Sequence, residues 1–120
     1  MLSWKVLHTF KEGMHGDEVV WFEEDYNAVR DGKKDHTGHS EVVTHLEMVK
    51  QSIEIPDEVR QDKDYKNRKC YYAWFSGGLD YPMNHMKTVI ERTWYGKLRV
   101  VTAYFTRYIN GKEVTLWTKT

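Results

Sequence analysis

From Leu98 to Tyr108 the chain reads LRVVTAYFTRY, and from Val101 onward apolar and hydroxyl-bearing side chains alternate. In an extended strand successive side chains point to opposite faces. The alternation therefore predicts Val101, Ala103 and Phe105 on a buried face, with Thr102, Tyr104, Thr106 and Tyr108 on the other. Two readings of the hydroxyl row stand side by side. Threonine and tyrosine are good strand formers, so such rows line many solvated sheet faces. With cations beside it, the same row becomes a place for phosphate, and Arg68, Lys69 and Arg92 lie on strands predicted to neighbour it.

Three more stretches read as strands: RKCYYAWF, MKTVIERTW and EVTLW. Turn signals at Gly77–Gly78, Gly96 and Asn110–Gly111 separate them, the last being a strong hairpin dipeptide. Strands adjacent in sequence usually pair in space. The expectation is thus a consecutive antiparallel meander of Lys69–Phe75, Met86–Thr93, Leu98–Tyr108 and Glu113–Trp117. Upstream, VVWFEEDYNAVRDG reads as a short apolar run feeding a helix that ends near Gly32, with Trp21, Phe22, Tyr26 and Val29 as its buried stripe. Ser40 is a suitable N-cap for a second helix, in which Val42, Leu46, Val49 and Ile53 fall at helical spacing. Pro56 ends that helix, because the residue before a proline is pushed out of the α region. The segment WKVLHTF is suited to a strand at the sheet edge. Helices first and a meander afterwards make the class α+β: N-terminal helices packed on one side of an antiparallel sheet of about four strands. Residues 1–120 read as a single domain.

Composition narrows the chemistry. The single cysteine, Cys70, sits in an aromatic strand pattern suited to a buried inert thiol, and it excludes an internal disulfide or a thiolate metal cluster. No glycine-rich nucleotide loop and no His-Glu-x-x-His pattern occurs. His15, His36, His39 and His45 leave a zinc site as a minor alternative to a metal-free, cofactor-free protein. Without a signal peptide or an apolar run of transmembrane length, the expected setting is cytoplasmic, away from membranes. The chain is neutral overall but divided. Residues 1–59 carry 6 basic and 13 acidic side chains, and residues 60–120 carry 12 and 5. That division permits a phosphate-binding face, and equally permits internal charge matching between the halves.

RNA can be cleaved without metal when a base takes the proton of the 2′-hydroxyl, cations hold the phosphoryl oxygens and an acid protonates the leaving oxygen. Histidine can fill either proton-transfer role near neutral pH. Three blocks of this chain bear on that chemistry: GHSEV at Gly38–Val42, QSIEIPDEVRQD followed by RKCYY, and MKTVIER…GKLRVVTAYFTRYINGKEVTLW. In that order they resemble the phage-associated barnase–EndoU–colicin E5/D–RelE-like nucleases. The resemblance spans roughly Trp21 to Trp117 and implies a metal-independent endoribonuclease, a toxin or phage effector, with RNA as substrate and a cognate antitoxin or immunity protein as partner. It implies His39, Arg68, Thr102 and Tyr104 as the catalytic set, with Arg60, Lys69 and Thr106 binding RNA, and Arg92 joins the RNA-binding residues by its predicted place on a neighbouring strand. Serine at position 40 replaces the family's usual proline, and the insert KKDHTG leaves His36 as the alternative histidine. A non-catalytic nucleic-acid-binding or protein-interaction module of the same fold is the competing function.

Overall fold

A computed structural model describes residues 5–33, 36–75 and 84–119, the side chain of His36 excepted. Trp4, the Gly77–Gly78 turn and most of DYPMNH lie outside the described residues. In chain order the elements are β1 (Val6–Lys11), β2 (Glu18–Phe22), α1 (Glu23–Asp31), β3 (Gly32–Lys33), β4 (His36–Thr37), α2 (Ser40–Val43) and α3 (Leu46–Glu54). They continue as β5 (Glu58–Gln61), β6 (Arg68–Trp74), β7 (His85–Arg92), β8 (Leu98–Thr106) and β9 (Val114–Thr118). Seven strands form one mixed sheet in the order β1-β2-β8-β7-β6-β5-β9, while β3 and β4 pair separately. Neighbours run antiparallel except β2 and β8, which are parallel.

The class is α+β, but the expected four-stranded sheet beneath N-terminal helices is wrong in size and order. β1 and β2 precede every helix, and β5 lies between α3 and the expected meander. The apolar run VVWF forms β2, so Trp21 and Phe22 belong to a strand rather than to the stripe of the helix that follows, since a short apolar run has no period to separate strand from helix. Asp57–Glu58–Val59 reads as a turn, yet Glu58 opens β5, held on both sides by β6 and β9. The β6–β7–β8 meander is present. The β8–β9 hairpin is not. Asn110–Gly111 does turn, with the Glu113 N–H donating to the Asn110 carbonyl at 3.1 Å, but the turn sits inside a segment that carries the chain from β8 to the far edge of the sheet. β8 pairs with β7 along its length on one side, and with β2 on the other. The last strand pairs with β5 instead.

Only Leu98 and Arg99 of β8 pair with β2. Directly after β2 the chain turns into α1, which packs along β8. The helix predicted from Ser40 is broken in two. Ser40 is its first residue rather than its cap, and His39 occupies the cap position without a side-chain cap bond. At the break the Thr44 hydroxyl donates to the Glu41 carbonyl at 2.9 Å, a local bond that competes with helix continuation. α3 then ends before Pro56 as expected, with Ile55 out of the helical region.

The core lies between α3 and one face of the sheet. Val42, Val49 and Ile53 are fully buried there with Val100, Ala103 and Phe105, joined by Tyr71, Ala73, Met86 and Ile90. Leu46 is only half-buried, and Met48 takes the deeper place. Two polar groups survive in this layer because they satisfy each other. The hydroxyls of Ser52 and Thr88 are 2.7 Å apart, and Ser52 also reaches the Val49 carbonyl at 2.6 Å. Ile53→Ala should cost about 2–5 kcal/mol by transfer loss and an unfilled cavity. Leu46→Ala should cost clearly less, and urea midpoints for the two variants would expose a misjudged helix face if their order were reversed.

Candidate functional site

β8 changes its alternation partway along. Against β7, Val89 faces Thr102 while Ile90 faces Val100, so Val101 is an extra residue in the ladder. Val100 points into the α3-side core, and Val101 turns to the opposite face. There it joins Cys70, Tyr72, Val89 and Ile109 in a second apolar cluster. Placing Val101 with Ala103 and Phe105 is therefore a misassignment, since simple alternation contains no bulge. Ile109 reaches the cluster from the β8–β9 crossing segment, which passes over this second face.

Beside the crossing segment, α1 and the stretch leading into α2 wall a cavity of about 430 Å³. His39, Arg68, Thr102 and Tyr104 all line it, together with Lys33 and Thr37. The His39 ring stacks on Tyr104 with centroids 5.6 Å apart and planes inclined by 27°. Its backbone N–H is anchored to the Val29 carbonyl at 2.6 Å, tying the histidine to α1. Its Nδ1 stands 3.4 Å from Glu41 Oε1, and the side chain remains 37% exposed, open to a ligand from solvent. Gly38 makes the approach possible. A Cβ there would fall 2.6 Å from the Asp31 carbonyl carbon and 2.7 Å from the Arg30 oxygen, so any other residue would push His39 away from α1.

The other expected RNA contacts are dispersed. Lys69 and Arg92 line a different cavity, on the α3 side of the sheet, because Lys69 is one residue from Arg68 and so points the other way. Arg60 is used internally. It pairs with Glu58, and its guanidinium donates to the Glu113 carbonyl at 2.9 Å, holding the crossing segment down. Thr106 donates its hydroxyl to the Tyr108 carbonyl at 2.9 Å, and Tyr108 itself is largely exposed. Cys70 is fully buried, and desolvation pushes its thiol up to about 12, which disfavours a nucleophilic role.

Sequence reading passed over two charge networks on the same face as the His39 cavity. Lys87, nearly buried, donates to Glu113 Oε2 at 2.6 Å, and the Tyr72 hydroxyl donates to Glu113 Oε1 at 2.5 Å. Burial opposes the charge on Lys87, but Glu113 and Tyr104 together hold its pKa above the usual lysine value. Its Nζ lies 5.5 Å from the Tyr104 ring centre, a cation against the aromatic wall of the site. Lys87 alternates with Met86 and Thr88 in MKTVIE, a pattern that reads as a solvated lysine, and its partner is 26 residues away. In the second network, Glu91 accepts from Arg68 Nε at 2.9 Å and from Arg99 Nε at 3.2 Å, while Arg99 also donates to Asp25 Oδ2 at 2.7 Å. Arg68 is thus fixed at one edge, with its guanidinium carbon 4.1 Å from the Tyr65 ring centre.

Among the described residues no group of three His, Cys, Asp or Glu side chains converges as metal ligands, and His15 and His39 line different cavities. No described helix is long and apolar enough to cross a membrane. No family model, curated protein or solved structure matches the chain.

Burial raises the Glu91 carboxyl, but hydrogen bonds and charge from Arg68 and Arg99 outweigh it and hold its pKa below the usual value of 4.5. A depressed folded pKa stabilises above the unfolded value and loses that contribution as pH falls through the folded one. Asp25 runs the opposite way, since burial lifts it despite Arg99. Glu91→Gln should therefore flatten the loss of stability between roughly pH 5 and pH 3. Urea titrations across that range with a slope equal to the parent's would remove Glu91 from the linkage.

Proposed function

We propose that the chain is a metal-independent endoribonuclease acting through the cavity of His39, Arg68, Thr102 and Tyr104. The observation that carries this reading is their convergence on one open cavity from three separate segments, with His39 stacked on Tyr104. In the proposed reaction His39 takes the proton of a 2′-hydroxyl, and that oxygen bonds to the adjacent phosphorus. The bond to the 5′-oxygen breaks, the leaving oxygen is protonated, and a 2′,3′-cyclic phosphate remains. Tyr104 gives that proton or stacks a base, with the Lys87 Nζ 5.5 Å from its ring centre. Arg68 has Nε committed to Glu91, which leaves its two terminal nitrogens for phosphoryl oxygens. Lys33 adds charge at the rim, and Thr102 positions an oxygen.

The motif order in the sequence supports the same reading, including a toxin or phage-effector role with an inhibitory partner. One observation favours a second reading, a non-catalytic RNA-binding module: Arg68 already has a carboxylate partner, which weakens its pull on phosphate. A single experiment separates the two. Purified protein is incubated with a mixed RNA pool in chelator, and the products are examined for cyclic-phosphate ends. The nuclease yields such ends, and His39→Ala lowers their rate by about 10²–10⁴ while leaving the circular dichroism spectrum unchanged. RNA retained intact but bound, with affinity falling steeply as salt rises, indicates the binding module. Cleavage at the parent rate in His39→Ala excludes the proposed base.

A further inference from the structure

Several cations on the His39 face of the sheet are closely ion-paired. Arg60, Arg68, Lys87 and Arg99 each have a carboxylate oxygen within 3.2 Å. Lys66 and Lys69 have no ion pair or side-chain hydrogen bond among the described residues, and Arg92 comes no closer than 3.9 Å to Asp17. These three cations line one cavity of about 410 Å³, on the α3 side of the sheet and across it from His39. That volume suits a small ligand rather than a polymer segment.

The same cavity contains Glu12, in the β1–β2 turn and only 2% exposed. Its carboxylate accepts from the Tyr71 hydroxyl, and from the His15 N–H at 2.6 Å. Burial works to raise its pKa, but these hydrogen bonds and the nearby His15 bring it below the usual carboxylate value. An ionised carboxylate has about four lone-pair sites, so each oxygen of Glu12 keeps acceptor capacity beyond these bonds. The cavity therefore joins two lysines without an ion pair among the described residues, and Arg92 in a loose pair with Asp17, to one buried acceptor. Inorganic phosphate satisfies the cations but is repelled by Glu12. A neutral sugar satisfies Glu12 and leaves the cations unmatched. A phosphorylated sugar answers both, with its phosphoryl group toward Lys66, Lys69 and Arg92 and a hydroxyl donating to Glu12.

We propose that this cavity is a binding site for a small sugar phosphate, independent of the His39 cavity. The test is calorimetric titration of the whole chain with ribose 5-phosphate, inorganic phosphate and ribose. Ribose 5-phosphate should bind at least about tenfold more tightly than either other probe, the discrimination expected from one added charge-assisted hydrogen bond. Lys69→Ala and Lys66→Ala should each weaken it about tenfold or more, and Glu12→Gln should bring it close to inorganic phosphate. His39→Ala should leave its affinity unchanged, so the outcome does not depend on nuclease activity. Because Glu12→Gln removes a buried partner of Tyr71, the two lysine variants decide the matter if it does not fold. Equal affinity for ribose 5-phosphate and phosphate, no binding of ribose 5-phosphate, or binding insensitive to both lysines overturns the proposal. Loss of binding in His39→Ala overturns it too, by moving the ligand to the other cavity.

Discussion

One extra residue in β8 sets the relation between the core and the candidate site. With Val101 bulged out of the ladder, Val100, Ala103 and Phe105 all serve the layer under α3. Val101 is released to the other face, where it builds a small apolar patch with Cys70, Tyr72 and Val89. That patch gives Ile109 something to pack on, and so gives the crossing segment a reason to lie on the sheet rather than in solvent. Without the bulge, a strictly alternating β8 would set Val100 and Val101 against the demands of both layers. Bulges commonly re-aim side chains in this way.

The crossing segment in turn depends on charge pairing. Arg60 holds the Glu113 carbonyl, and the Glu113 carboxylate receives both Lys87 and Tyr72. A buried carboxylate alone would be costly, and removing one partner leaves the other exposed to that cost. The cluster therefore ties β5, β6 and β7 to the end of the crossing segment as a unit. It also places a lysine charge against Tyr104, so an element of the fold becomes part of the electrostatics of the His39 cavity. On the other side of the sheet Lys66 and Lys69 have no such partners among the described residues.

Glycine and helix breaking contribute at the wall of the first cavity. Gly38 lets the chain pass against the end of α1, and the His39 N–H is fixed there by Val29. α2 is too short to orient a side chain by itself. The histidine is positioned instead by α1 behind it and by the Tyr104 ring in front.

Local pattern was enough for some of this. The β6–β7–β8 meander, the apolar stripe of Val42, Val49 and Ile53, the stop at Pro56 and the buried thiol of Cys70 all follow from spacing and residue type, because each depends on neighbours within a turn or a hairpin. The grouping of His39 with Arg68, Thr102 and Tyr104 was reached from motif order, and the structure brings the four side chains to one cavity. Other features are set by partners far away in sequence. VVWF becomes a strand because β1 and β8 flank it, and Glu58–Gln61 becomes one because β6 and β9 do. Asn110–Gly111 turns without joining paired strands, since the strand after it pairs with β5 at the far edge of the sheet. Whether a lysine or arginine faces a ligand or a carboxylate was likewise decided by tertiary structure. The same residue types read as RNA contacts in the sequence are divided, once folded, between Arg60 locked under Glu113 and Lys69 open to a cavity on the opposite face. Side-chain type and local period are properties of the chain itself, whereas register, bulge and charge partner exist only after distant strands have met.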